Sequence, residues 1–171
     1  ALDTAPLLTL PVATSAKDLF KGCTSLNQEL LIDLPKVQTY ESALEGCTVF
    51  NSPLTVNGPE VTSVTNVLKD ATSMSGDITA TVPKLTQDIK SLFQSCKSIY
   101  NGKLTLNADI LPSVEGLFME LTSLNTEPSL TIPAATNAKD LFKGCTALNT
   151  EITLDLPEVT TLESAFEGCT A

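Results

Sequence analysis

One ten-residue stretch, DLFKGCTSLN, begins at Asp18 and recurs almost unchanged as DLFKGCTALN from Asp140. Looser versions of it begin at Ala43, Val67, Leu92, Leu117 and Ala165. A repeat of about 24 residues is typical of an array in which each unit packs on its neighbours. The sequence therefore predicts a solenoid instead of one globular core.

Aligned on this motif, the chain divides into seven units that we expect to form a single solenoid segment of a longer protein. The units span residues 6–29, 30–52, 53–76, 77–101, 102–127, 128–150 and 151–171. Residues 12–47 and 134–169 are identical at 25 of 36 positions. This match, five units apart, indicates duplication of a five-unit block.

Each unit is predicted to begin with a short strand, because apolar and polar residues alternate there. The strands are expected at residues 8–10, 30–34, 54–56, 78–82, 104–106, 130–132 and 152–156. The inward-facing residues are predicted to be Leu10, Leu34, Val56, Val82, Leu106, Ile132 and Leu156. Units that run the same way should pair these strands as a parallel sheet.

A proline follows most strands, and an apolar stripe with helical spacing follows the proline. In the last unit Val159, Leu162, Ala165, Phe166 and Cys169 form this stripe. Glycines are expected in the left-handed conformation where each helix ends, at Gly22, Gly46, Gly144 and Gly168. The predicted fold class is therefore an α/β repeat solenoid of the leucine-rich-repeat type, with a parallel sheet on one face and short helices or turns on the other.

The conserved spacing of bulky apolar residues and cysteines predicts a stacked core. Its members are Phe20, Cys23, Leu44, Cys47, Leu68, Phe93, Cys96, Phe118, Phe142, Cys145, Phe166 and Cys169. The cysteine position also accepts Ala71 and Leu121, so we interpret it as an apolar slot that holds buried free thiols. The alternative is a disulfide between neighbouring units, Cys23 with Cys47 or Cys145 with Cys169.

The composition argues against several classes of function. The chain carries 20 Asp and Glu against 10 Lys, and it has no Arg and no His. Nucleic acid is therefore an improbable partner, and the usual general base and metal ligand are missing. No apolar run is long enough to insert into a membrane. We expect no enzyme activity, no metal and no cofactor, and the carboxylates are expected to form a solvated surface.

The outward strand position is the candidate ligand-contact surface. It is occupied by Thr9, Asp33, Thr55, Thr81, Thr105, Thr131 and Asp155. A file of threonines on a flat sheet can bind an ordered surface such as ice or crystalline polysaccharide; alternatively, threonine is simply a good solvent-facing strand residue. Residues 57–59 and 107–112 are predicted to lengthen the path after the strand, and these two bends are further candidate contacts.

The unit strand-Pro-x-Val-Thr-x-Leu-x-x-Ala-Phe-x-Gly-Cys-Thr, clearest at residues 154–170, resembles the BspA-like bacterial leucine-rich repeat family. The resemblance implies a surface-anchored or secreted protein of host-associated bacteria or protists that acts in adhesion. Because members of the family differ in their ligands, the resemblance assigns no binding residue.

Two hypotheses of function follow. The first is a non-enzymatic binding or adhesion module at the cell surface or outside the cell. Its partner would be a protein or glycan, for example a host matrix protein, or another copy of the chain. The second is a structural subunit of a filament, sheath or surface coat that is built from long repeat arrays.

Overall fold

Five short parallel strands organise the structure, a computed structural model that describes residues 8, 10–87, 89–90, 92–97 and 99–171. The strands are β1 (Leu30–Asp33), β2 (Leu54–Asn57), β3 (Ile78–Thr81), β4 (Leu104–Asn107) and β5 (Ser129–Thr131). They form one sheet in the order β1-β2-β3-β4-β5. Each coil, meaning the chain from one strand to the next, adds one strand beside the previous one. The predicted parallel-sheet solenoid is therefore confirmed.

The register differs from the predicted one by two residues in β2 and β4. Val56 pairs with Ile32 of β1, not with Leu34, and Leu106 pairs with Ala80 of β3, not with Val82. Because side chains alternate with a period of two, a shift of two residues preserves the inward face, and the sequence pattern does not reveal it. No strand is assigned to the described residues 152–156.

The core lies between the sheet and the chain opposite it. Phe118 stacks on Phe142 with ring centroids 5.0 Å apart, and Phe142 stacks on Phe166 at 5.3 Å. Phe93 lies 6.0 Å from Phe118. Phe20, Leu44 and Leu68 continue the buried column, whereas Phe166 is 48% exposed. The stacked aromatic rings and the inner faces of the strands thus form one continuous hydrophobic core.

The face opposite the sheet consists mainly of turns, with one 3-10 helix among the described residues, so of the predicted short helices or turns the structure shows chiefly turns. The N–H groups of Asp140 and Phe142 donate to Glu163 and Ala165 in the next coil, at 2.9 and 2.7 Å. The N–H group of Leu141, in between, donates to Ala138 in its own coil at 3.4 Å. An α-helix would direct all of these groups along its own axis. Because successive N–H groups donate alternately to the next coil and to their own coil, this segment forms a series of turns instead of a helix.

Left-handed backbone recurs twice in these turns. Asp140 has φ 54° and Gly144 has φ 75°, four residues later. The predicted left-handed glycines are therefore present, but they belong to turns instead of helix ends. The first of the two positions is filled by Ser42 and Ser164 in other coils, both with positive φ.

Two extra residues lie between β3 and β4. Strand partners are 24 residues apart from β1 to β2, where Leu30 pairs with Leu54, but Ile78 of β3 pairs with Leu104 of β4, 26 residues on. A 3-10 helix, Gln94–Cys96, lies in this longer coil. The bends at residues 57–59 and 107–112 keep the 24-residue spacing, since Asn107 pairs with Thr131. The prediction that these two bends are lengthened is therefore wrong.

Candidate binding surface

The outer face of the sheet carries two columns of side chains, which are small and polar from β2 to β5, and we call it the outer sheet face. The first column consists of Leu31, Thr55, Thr79, Thr105 and Ser129. The second consists of Asp33, Asn57, Thr81, Asn107 and Thr131. From β2 to β5 every member is an uncharged hydroxyl or amide. Neighbouring members of a column are about 4.8 Å apart, the spacing of strands in a sheet.

The candidate contact residues do not form the single file that the sequence predicted. Asp33, Thr81 and Thr131 lie in the second column, whereas Thr55 and Thr105 lie in the first, because of the two-residue shift in register. Asp155 is exposed but has no strand assigned to it, and Thr9 lies outside the described residues. The structure adds Thr79, Ser129, Asn57 and Asn107 to the surface. The surface is therefore two side chains wide.

The polar groups of the outer sheet face are available for contacts. Asn57 donates from Nδ2 to Asp33 Oδ1 at 2.9 Å, across β1 and β2. Thr79, Thr81, Ser129 and Thr131 are exposed. Each hydroxyl can donate one hydrogen bond and accept two. The face can consequently hold an extended polar ligand by many equivalent weak contacts.

A second regular surface lies on the turns, where lysines and glutamates of neighbouring coils alternate. Lys17 Nζ lies 2.8 Å from Glu41 Oε1, and Lys139 Nζ lies 2.9 Å from Glu163 Oε1. Lys84 and Glu60 are 2.7 Å apart. The hydrogen bond from Lys84, followed by its charge, lowers the pKa of Glu60. Several of the expected solvated carboxylates are therefore paired with lysines of a neighbouring coil.

A column of asparagines, which was not predicted from the sequence, lies beside the sheet. The Oδ1 atom of Asn27 accepts the backbone N–H of Asn51 at 2.6 Å, and Asn51 does the same for Ser75. Asn101 and Asn125 repeat the bond towards Asn125 and Asn149 at 2.7 and 2.8 Å. The signal in the sequence was the asparagine that ends the DLFKGCTSLN motif. Its role is to satisfy backbone groups where the chain turns towards the sheet.

The five cysteines are free thiols. Cys47, Cys96 and Cys145 are buried, whereas Cys23 and Cys169 are half-buried. Burial raises the pKa of Cys96 and of Cys145 to about 12. A thiol with such a pKa is protonated at neutral pH, so these side chains are poor nucleophiles and poor metal ligands.

An apolar cavity of about 60 Å³ lies between the inner faces of β1–β4 and the turns. It borders Ala80, which occupies the column of Ile32, Val56 and Leu106, so a smaller side chain leaves space there. Tyr40 also lines it. The Tyr40 hydroxyl is buried and has no hydrogen-bond partner within the described part of the chain. Burial raises the Tyr40 pKa to about 12.

Two further properties bear on function. Across the described residues, no three Cys, Asp or Glu side chains converge as metal ligands would. The same residues contain no helix that could cross a bilayer.

The comparison with protein families gives a match. The family described as "Mycoplasma protein of unknown function, DUF285" matches residues 14–131 and 105–171. No curated protein and no solved structure matches the chain. Since the two matched segments together cover residues 14–171, the chain belongs to the DUF285 family.

Proposed function

We propose that this protein is a non-enzymatic binding module that engages a protein or glycan through the outer sheet face. The observation that carries the proposal is the pair of in-register columns, in which hydroxyl and amide side chains repeat across β2–β5 without a charged residue. From β2 to β5 this face offers hydrogen-bond donors and acceptors and no charged side chain. Such a face favours an extended, polyhydroxylated or polar ligand.

The finer features of the proposal rest on the resemblance to BspA-like leucine-rich repeats. They are a cell-surface or extracellular location, a seven-unit solenoid and an adhesive role. Bridges between Ser15 and Thr39 and between Asn137 and Thr161 support units beyond the five strands. The lack of histidine in the sequence supports the absence of enzymatic activity.

Binding to arrays of matrix proteins and glycans tests this proposal. The test variant is Thr79→Glu with Thr81→Glu, because both side chains are exposed at the centre of the outer sheet face. The matched control is Thr24→Glu with Thr48→Glu, which makes the same change of charge at exposed positions outside the sheet. We expect the wild type and the control to retain a ligand that the test variant loses. Failure of the wild type to retain any ligand, or equal retention by both variants, would refute the proposal.

A further inference from the structure

The outer sheet face repeats at every second strand. β2 and β4 present the same pair of side chains, a threonine in the first column and an asparagine in the second. β3 and β5 present a hydroxyl in both columns. The second column therefore alternates between amide and hydroxyl, in the order Asn57, Thr81, Asn107 and Thr131. A ligand that fits the whole of this column must itself repeat at every second position.

The exposure of the first column follows the same alternation. Thr79 and Ser129 are exposed, whereas Thr55 and Thr105 are half-buried. The relief of the surface and the chemistry of the second column thus share one period. Since neighbouring strands lie about 4.8 Å apart, that period is about 9.6 Å across the strands.

The charges on and around the face favour an uncharged ligand. The chain carries 20 Asp and Glu against 10 Lys, so it repels a polyanionic ligand, and β2–β5 offer no lysine on this face to bind one. A cationic ligand would find no carboxylate on these four strands either. Asp33 on β1 and Asp77, next to β3, each accept a hydrogen bond within the protein. The face is therefore complemented by a ligand that is polar but neutral.

A linear β-1,4-linked glycan of uncharged sugars has these properties. Each ring lengthens such a chain by close to the 4.8 Å that separates two strands, and successive rings are turned over, so that equivalent hydroxyls recur at every second ring. Laid across the strands, the chain places one ring on each strand, where its hydroxyls exchange hydrogen bonds with threonine and asparagine side chains. An extended peptide does not match, because its side chains recur on one face at every second residue, or about 6.6–6.8 Å.

We propose that the outer sheet face binds a linear, uncharged β-1,4-linked glycan that runs across the strands, with one ring on each of β2–β5. The inference rests on the proposed function and narrows its ligand to a glycan. Because four strands offer four ring sites, affinity should rise with the length of the glycan up to four rings and level off beyond them. A single sugar should not be retained, since each ring makes only a few hydrogen bonds of modest net strength.

Calorimetric titration of the 171-residue chain with β-1,4-linked oligomers of glucose, mannose and N-acetylglucosamine tests the inference. The control ligands are α-1,4-linked glucose oligomers of the same lengths, which carry the same hydroxyls on a chain that curves. The test variant is Thr81→Asn with Thr131→Asn, which makes the second column an amide on each of β2–β5. Its control is Thr81→Ser with Thr131→Ser, which changes the same two exposed positions but keeps the alternation. Circular dichroism shows whether both variants keep the wild-type fold.

We expect the wild type and the serine variant to bind at least one β-1,4-linked series, with affinity that rises up to four rings. The asparagine variant should bind the tetrasaccharide about tenfold more weakly, the effect of losing two ordinary hydrogen bonds. Equal binding of the α-linked control, equal affinity of the asparagine variant, or affinity that keeps rising beyond four rings would overturn the inference. So would a wild type that binds none of the β-1,4-linked series. If that wild type still retains a protein that Thr79→Glu with Thr81→Glu loses, the proposed function stands and only the glycan inference fails.

Discussion

The thiol of Cys145 donates a hydrogen bond to the carbonyl oxygen of Phe118, one coil earlier, at 3.0 Å. Cys47 and Phe20 make the same contact at 3.0 Å. The cysteine column therefore does more than fill an apolar slot, because each of these thiols links two coils through a buried carbonyl. Ala71 and Leu121 occupy the slot without a donor, so the link is used in some coils and absent from others.

This burial predicts two classes of thiol. At pH 8 we expect Cys23 and Cys169 to react with Ellman's reagent in the folded protein, because both are half-buried. Cys96 and Cys145 should react only after unfolding, since burial raises the pKa of each to about 12. Cys47, which is also buried, should behave like them. Equal rates for all five thiols would contradict this account, and a disulfide between Cys23 and Cys47 would remove Cys23 from the reactive class.

Replacing a phenylalanine of the aromatic column by alanine should lower the free energy of unfolding most in the interior of the column. Phe142 is fully buried between Phe118 and Phe166, so Phe142→Ala should lower the free energy of unfolding by about 3–5 kcal/mol. Phe166→Ala, where the ring is 48% exposed, should cost roughly half as much. Urea unfolding of both variants measures the difference. Similar losses at the two positions would show that the ring stack does not form the interior of the fold.

The asparagine column predicts a stabilising role for Asn101. Its Oδ1 atom accepts the N–H group of Asn125 at 2.7 Å and the hydroxyl of Thr126 at 3.1 Å. Asn101→Ala should cost about 0.5–1.5 kcal/mol, because the hydrogen bonds that its side chain accepts are lost. Asn107→Ala, the same change on the outer sheet face, should cost less than about 0.5 kcal/mol. Thermal unfolding of the Asn101→Ala and Asn107→Ala variants measures the difference in stability between the two positions.

A larger residue at position 76 should destabilise the protein because there is no room for its side chain, not because of the backbone conformation of Gly76. A methyl group added there would lie 2.7 Å from the carbonyl oxygens of Asn51 and Ser52, in the neighbouring coil. Gly76→Ala should therefore cost about 1–3 kcal/mol through forced separation of the backbones. Gly22→Ala provides the contrast, since φ is +71° there and no atom lies within 4 Å. It should cost only about 1 kcal/mol of left-handed strain. Urea midpoints measure both, and an unchanged Gly76→Ala variant would argue against the close stacking.

The lysine–glutamate columns predict a loss of stability in acid. The pKa values of Glu60 and Glu120 are held below the ordinary 4.5, first by the hydrogen bond from Lys84 or Lys97 and then by its charge. Folding therefore favours the ionised carboxylates. This stabilisation is present above pH 4.5 and is lost as the pH falls through the lowered pKa values.

Thermal melts between pH 3 and pH 7 measure this effect. Glu60→Gln with Glu120→Gln should flatten the acid slope of the melting temperature, and added salt should weaken it in the wild type. Glu29→Gln is the control, because Glu29 makes no ion pair among the described residues. An acid slope that the double variant leaves unchanged would count against the ion pairs as its source.

The strands and the core could be predicted from the sequence because both depend on the spacing of apolar residues within each repeat. Alternation at residues such as Leu30 and Ile32 fixes which face is buried, and the regular recurrence of Phe118 and Phe142 fixes the column. The pairing of Val56 could not be fixed, since Ile32 and Leu34 are both apolar and both point inwards. That ambiguity also hid the second column of the outer sheet face.

The sequence left short helices and turns open as alternatives, because the two structures share one sequence pattern. A stripe of apolar residues followed by glycine suits a helix that ends in left-handed backbone. It equally suits a ribbon in which Asp140 and Gly144 both have positive φ and alternate N–H groups bond to the next coil. The choice between them depends on the adjacent coil, which supplies acceptors such as the Glu163 carbonyl. Local propensity carries no information about those acceptors.

The direction of the backbone bonds on the turn face has a mechanical consequence. The bonds from Asp140 to Glu163 and from Phe142 to Ala165 join one coil to the next, so tension applied to the ends of the chain would peel coils off one after another. Each released coil of 24 residues, the separation of Asn27 and Asn51, would lengthen the chain by about 80 Å. A molecule of this design would extend under load in small, nearly equal steps instead of failing in a single rupture.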